Sequence, residues 1–99
     1  MSLSVVYLPE ARDDIDESYT AYEQRLLGLG DRFLEALWAQ IDRIRDNPML
    51  YGILYRDMRA APLRRFPYIV FYRVEADRVV VIAVQHGRRS SQIWQRRIR

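Results

Sequence analysis

The chain contains no cysteine and no lysine. Without cysteine there is no disulfide scaffold and no thiolate metal site. Without lysine, Schiff-base chemistry and a lysine general base are excluded. Apolar runs are strand-length, far short of the roughly 20 residues that a membrane helix needs. The opening stretch Met1–Leu8 is too short, and lacks the basic start, for a signal peptide. A cytoplasmic protein with no membrane association is therefore expected. No phosphate loop, nucleophile elbow or zinc-ligand spacing occurs, so no cofactor is expected.

What is present points to one packed domain. The chain has 99 residues, 49% of them hydrophobic and 12% aromatic, too apolar for a disordered segment. All 16 basic residues are arginine. GC-rich codon usage produces the same bias, but it does not explain where the charges fall. Residues 1–46 hold ten acids and five arginines, a net of −5. Residues 47–99 hold three acids and eleven arginines, a net of +8. An acidic front and a basic back suggest one surface for an anionic partner and another that rejects it.

Val5-Val6-Tyr7-Leu8 reads as a short strand ending at Pro9, which suits the first turn of a helix. Ala11, Ile15, Tyr19, Tyr22 and Leu26 form one apolar stripe at helical spacing. Gly28-Leu29-Gly30 breaks that helix. Asp31 is a candidate N-cap for a second helix whose stripe is Leu34, Leu37, Trp38, Ile41 and Ile44, ended by Asn47-Pro48. A strand over residues 58–65 follows, with Pro62 marking an edge or a bulge. Tyr68 to Val74 and Val79 to Gln85 read as two further strands joined by a tight hairpin at residues 75–78. Val79 to Val84 is apolar on both parities, as in a strand buried on both faces. The tail from Ser90, with Ile93 and Trp94, is a candidate cover for its second face. The expected fold is α+β: an N-terminal strand, an antiparallel helix hairpin, a three-stranded antiparallel meander in one curved sheet, and a short C-terminal tail.

His86 is the lone histidine. It reads either as a general base, with arginines stabilising charge, or as a strand-end residue bonded to backbone. The arginines Arg64, Arg65, Arg73, Arg88, Arg89, Arg96, Arg97 and Arg99, with Tyr51, Tyr55, Tyr68 and Tyr72 near them, suit either phosphate and base contacts or a socket for an acidic protein segment. For so small a domain the socket is the stronger reading. The acids Asp13, Asp14, Asp16 and Glu17 fan around a helix instead of converging, so no metal is expected.

At Phe66-Pro67-Tyr68-Ile69-Val70-Phe71-Tyr72-Arg73 and Val84-Gln85-His86-Gly87-Arg88-Arg89 the chain resembles the ParE/RelE superfamily of type II toxins, often called plasmid stabilisation proteins. The resemblance spans nearly the whole chain and implies a single toxin domain over residues 1–99. RelE-like members cleave messenger RNA on the ribosome, whereas ParE-like members poison DNA gyrase. RelE-type ribonucleases usually carry lysines on the strand before the aromatic one and an arginine after the tyrosine that matches Tyr68. Here that strand reads Arg59-Ala60-Ala61-Pro62-Leu63, and Ile69 follows Tyr68. The chain therefore resembles ParE more closely, which implies a gyrase inhibitor without catalytic residues of its own. Ribosome-dependent cleavage using His86, Arg64, Arg65 and Arg89 is the alternative. A degraded toxin kept as a binding module is the third.

The resemblance implies a ParD-like antitoxin with an acidic C-terminal segment, commonly in a heterotetramer. Tyr19, Tyr22, Leu37, Ile41, Arg64, Arg65 and Arg73 are the expected antitoxin contacts. Arg88, Arg89 and Trp94 are the expected target contacts.

Overall fold

The computed structural model describes residues 3–88, 96 and 97. Strand β1 (Ser4–Tyr7) leads into helix α1 (Pro9–Arg25) and helix α2 (Leu29–Asp46), and four strands follow: β2 (Ile53–Tyr55), β3 (Met58–Pro62), β4 (Tyr68–Glu75) and β5 (Arg78–His86). They form one five-stranded sheet in the order β1-β5-β4-β3-β2. β1 runs parallel to β5, and the other pairs are antiparallel. The α+β class stands, but the meander has four strands, not three. β2 escaped the sequence because it is three residues long, exposed at Ile53 and Leu54, and irregular in its register with β3. Strand β3 ends at Pro62, the last residue of the strand to pair with β4.

The helix hairpin turns differently from expectation. α1 ends at Arg25, and the N-cap of α2 is Gly28, in the left-handed region at φ 89°. Asp31 therefore sits in the first turn of α2, and Gly30 lies inside the helix. With no capping side chain at Gly28, Glu23 substitutes from α1. Its Oε1 accepts the N–H groups of both Gly28 and Gly30 at 2.9 Å. Gly30 is required by packing. A Cβ there would stand 2.8 Å from the Tyr19 ring and 2.9 Å from the Tyr19 carbonyl oxygen.

The helices cover one face of the sheet. Ala11, Ile15 and Tyr22 from α1 and Phe33, Leu37, Ile41 and Ile44 from α2 pack on Val70, Tyr72, Val79, Val81 and Val84. Phe33, absent from the expected stripe, is fully buried, whereas Trp38 is 43% exposed. The helix is rotated so that Phe33, Leu37, Ile41 and Ile44 form its buried row. Met58, Phe71, Ile82 and Ala83 form a second buried cluster. A β-bulge explains how β5 serves both clusters. Phe71 pairs with Ala83 and Tyr72 with Val81, so Ile82 is the extra residue. The inward parity switches there, from Val79 and Val81 to Val84 on the helix side.

β5 is nine residues long and β1 only four. Beyond the end of β1, the edge of β5 is finished by other groups. The Leu8 N–H donates to the Val81 carbonyl at 3.0 Å. The Val84 N–H donates to Oδ2 of Asp14 at 3.0 Å, and Arg97 Nη1 donates to the Ile82 carbonyl at 3.3 Å. The same guanidinium grips Asp14 with both nitrogens, at 2.6 and 3.1 Å. Asp14 is buried, and Ser18 Oγ donates to its backbone oxygen at 2.7 Å. Arg97 is thus fastened to the edge of β5. Ile93 and Trp94, the expected cover of the second face, lie outside the described residues.

Two predictions follow from this packing. Asp14→Ala leaves the Arg97 guanidinium and the Val84 N–H without their acceptor, and should cost about 3–5 kcal/mol in urea denaturation. Asp14→Asn retains an acceptor for Val84 and should cost less; equal losses would show that the acceptor role is immaterial. Tyr72, fully buried, donates its hydroxyl to the Pro48 carbonyl at 2.7 Å, and burial pushes its phenol up to about 12. Its folded pKa lies above the unfolded value near 10, so the folded state holds the proton longer. Its contribution is complete below about pH 10 and is lost as pH rises towards 12. Tyr72→Phe should flatten the fall in stability across that window, measured by denaturation at stepped alkaline pH.

Candidate functional site

Two open grooves flank α2. The first lies at the mouth of the helix hairpin. It is lined by Tyr7, Arg12, Ile15, Asp16, Tyr19, Asp31, Leu34 and Trp38 and has a volume of about 510 Å³. Tyr7 meets Trp38 edge-on at 6.4 Å, and the Arg12 guanidinium lies 6.0 Å from the Tyr7 ring centre. Asp31, by its negative charge, pushes the Tyr19 phenol above its ordinary value.

The second groove runs between the other side of α2 and the loop joining β3 to β4. Leu29, Arg32, Glu35, Ala36, Ala39 and Arg43 form its helical wall, and Arg64, Arg65 and Phe66 face them across about 660 Å³. Local sequence explains the loop's shape. The Leu63 N–H donates to the Tyr68 carbonyl at 2.9 Å, closing it at its base. Gly87 N–H donates to the Pro67 carbonyl at 2.7 Å. Between these ties Arg65 takes a φ of 70°, a left-handed conformation that a residue with a Cβ seldom adopts without being held there. Phe66 provides a further hold. It meets Tyr22 edge-on at 5.1 Å and Phe33 at 5.6 Å, and both of those rings also contact Tyr68. This four-ring cluster ties α1, α2, the loop and β4 together.

The expected antitoxin contacts are not all surface groups. Tyr22, Leu37 and Ile41 are buried in the core, because the helix stripes cover the sheet of their own chain. Tyr19 lines the hairpin groove, while Arg64 and Arg65 line the basic one. Arg73 belongs elsewhere. It is paired with Glu75 at 2.5 Å, and it lines a cavity with Leu8, Glu10, Arg96 and Arg97. Hydrogen bonds from Arg78 and, next, Arg73 hold the Glu75 carboxyl below its usual range.

His86 sits in a third, small cavity with Asp14, Glu17, Ser18 and Tyr68. Its Nδ1 accepts the Arg88 N–H at 3.0 Å, which leaves the ring proton of the neutral form on Nε2. The Tyr68 ring packs against it at 5.5 Å. Arg64 and Arg65 do not line this cavity. Of the residues expected to act together, His86 lines this cavity, while Arg64 and Arg65 line the groove beside α2. Arg88 is exposed at the end of β5, and Arg89 and Trp94 lie outside the described residues. No three His, Asp or Glu side chains among the described residues are placed to hold a metal.

Sequence reasoning missed Arg32, Arg43, Ala36 and Ala39 as one wall. The signal was available: Arg32, Ala36, Ala39 and Arg43 recur at four, three and four residues, the spacing of one helix face.

Comparison with known proteins gives a consistent picture. The family model described as the ParE toxin of the type II toxin–antitoxin system parDE matches residues 5–91. No curated protein sequence matches the chain. A chain from the chromosomal ParDE toxin–antitoxin system of P. aeruginosa superposes with a TM-score of 0.76 at 16% identity, covering 86% of this chain and 96% of that one. A chain from the toxin–antitoxin complex RelBE2 of Mycobacterium tuberculosis superposes with a TM-score of 0.63 at 22% identity, covering 87% and 99%.

Because Phe66 is the packed anchor of the groove loop, Phe66→Ala should free that loop. A loss of about 1–3 kcal/mol is expected, less than the 3–5 typical of a fully buried phenylalanine, since Phe66 is only part-buried. Hydrogen exchange should show faster opening at Arg65 and Phe66 while β5 remains protected.

Proposed function

The chain belongs to the ParE toxin family of type II toxin–antitoxin systems, and on that premise we propose that it arrests growth by binding DNA gyrase and is held in check by a ParD-like antitoxin. The observation that favours this target is that Arg64 and Arg65 line the groove beside α2 and not the small cavity that holds His86. Cleavage by 2′-hydroxyl attack needs a base, an acid and a phosphate clamp in fixed mutual positions. A binding inhibitor needs only complementary surfaces, and the exposed arginines and open grooves supply these. The origin of both structural neighbours in toxin–antitoxin systems, one of them a complex, supports an antitoxin partner; a heterotetramer with it is part of the proposal. Among the described residues no helix is long and apolar enough to cross a membrane, consistent with action in the cytoplasm.

A supercoiling assay with purified toxin and gyrase tests this reading. Inhibition at micromolar toxin is expected, relieved by adding antitoxin. Full supercoiling activity, together with blocked translation and cuts within translated codons, would assign the protein to the ribosome. His86→Ala separates the two further: it should remain toxic to growing cells if gyrase is the target.

A further inference from the structure

We propose that the groove between α2 and the β3–β4 loop holds the phosphate backbone of duplex DNA. As a step in toxin action this rests on the gyrase reading and deepens it: the toxin grips the DNA that gyrase carries as well as the enzyme. The first support is uncompensated charge. Arg45, Arg73, Arg78 and Arg97 each have a carboxylate partner. Arg32, Arg64 and Arg65 have none among the described residues, and Arg43 bonds only the neutral Gln40, at 2.7 Å. Four guanidiniums therefore line one groove that contains a single acid, Glu35. Held together without counter-charge, they repel one another and favour a polyanion.

The spacing calls for a dense line of negative charge. Arg32 and Arg43 stand eleven positions apart on α2, about three turns and about 16 Å at 1.5 Å per residue, so they share one helix face. Arg64 and Arg65 supply the opposite wall. B-form DNA carries one negative charge per about 1.7 Å of axis, and successive phosphates of one strand advance about 3.4 Å. One strand thus brings about four or five phosphates past the length of this wall. Carboxylates on one flank of a protein helix recur only about every 5.4 Å. The planar guanidinium fork also takes phosphate oxygens in pairs.

Two of the four cations are set before any ligand arrives. Gln40 is buried, and its Oε1 accepts the Arg43 Nε–H, which fixes that guanidinium on the helix face. Arg65 is held at a φ of 70° between the two ties that close its loop. Donors fixed in advance lose less freedom on binding. The rest of the lining, Leu29, Ala36, Ala39 and Phe66, is apolar. None of these side chains can hydrogen-bond a base edge, so the contact is to the backbone and is indifferent to sequence. Single strands fit less well, because they are held by bases stacked on open aromatic faces. Phe66 is the only ring in this groove among the described residues, and it is engaged by Tyr22 and Phe33.

The test uses the full chain and a labelled DNA duplex of about 20 base pairs and arbitrary sequence. Fluorescence anisotropy should show binding that is the same for unrelated sequences and weakens with salt, with a slope of about −3 to −4 on logarithmic axes for about four phosphates. Arg64→Gln with Arg65→Gln should weaken binding roughly tenfold or more and reduce the slope by about two. Arg64→Gln alone and Arg78→Gln alone change the net charge equally. Only the first should weaken binding, because Arg78 lies at the β4–β5 turn and outside the groove. Unchanged binding in the double variant, with native circular dichroism, overturns the proposal. So does an equal loss in Arg64→Gln and Arg78→Gln, which would reduce the effect to bulk charge. Tighter binding of single-stranded DNA, duplex RNA or polyglutamate than of the duplex overturns the choice of ligand. Supercoiling assays separate this proposal from the reading beneath it. If the double variant inhibits gyrase as fully as the wild-type chain, the groove has no part in inhibition, and the gyrase reading stands without it. If the wild-type chain binds the duplex through these arginines but leaves gyrase active, the gyrase reading fails and the DNA site stands.

Discussion

A nine-residue strand beside a four-residue partner leaves backbone groups unpaired along one edge, and in this protein those groups are buried. The architecture depends on how that edge of β5 is finished. Buried N–H and C=O groups without partners cost free energy comparable to a lost hydrogen bond each. Val81 to Val84 are buried, so these groups look chiefly to the protein for partners. Asp14 supplies an acceptor for Val84, but a buried carboxylate is itself costly unless paired. Arg97 pairs it and reaches the Ile82 carbonyl with the same nitrogen. One carboxylate and one guanidinium thus tie α1 and Arg97 to the edge of β5. The same arrangement sets one wall of the cavity beside His86, which Asp14 and Ser18 line.

Where periodicity and turn chemistry were unambiguous, the sequence was legible. Pro9 starts α1, and the paired strands around residues 75–78 meet in a two-residue turn at Ala76 and Asp77. The double apolar parity of Val79 to Val84 signalled burial on both faces, although the bulge at Ile82 could not be read from it. Less legible were features decided by partners distant in sequence. Asp14 belongs to an acidic run that looks solvated, and only the arrival of Arg97, 83 residues later, makes it a core residue. The rotation of α2 that buries Phe33 and exposes Trp38 follows from the aromatic contacts with Tyr22, Phe66 and Tyr68. Phe66 read as part of a turn because Pro67 follows it, and its role as an anchor emerges only in three dimensions.

The candidate site was legible in composition more than in position. The basic half of the chain does supply Arg64 and Arg65, but their companions Arg32 and Arg43 come from the acidic half. Folding places the few front-half arginines of α2 opposite the loop. It leaves Asp16 and Asp31 on the hairpin groove at the other side of the same helix. α2 therefore divides two surfaces of different sign, which a linear count of charge by halves only approximates. The aromatic cluster of Tyr22, Phe33, Phe66 and Tyr68 holds that helix in place between them.

The absence of lysine takes on structural meaning in this light. Several arginines do work that an ammonium group performs poorly. Arg97 spans both oxygens of Asp14 and a carbonyl, Arg59 joins the carbonyls of Met49 and Tyr51, and Arg45 reaches the Leu3 carbonyl. The planar guanidinium has five donors in a fixed fork and can hold such paired acceptors together, whereas a lysine presents a single point charge. These arginines are committed to the fold. The basic excess of the back half is thus only partly available to a partner, and net charge overstates the binding surface. A smaller subset, Arg32, Arg64 and Arg65, has donors that no described residue satisfies, and all three line the groove beside α2.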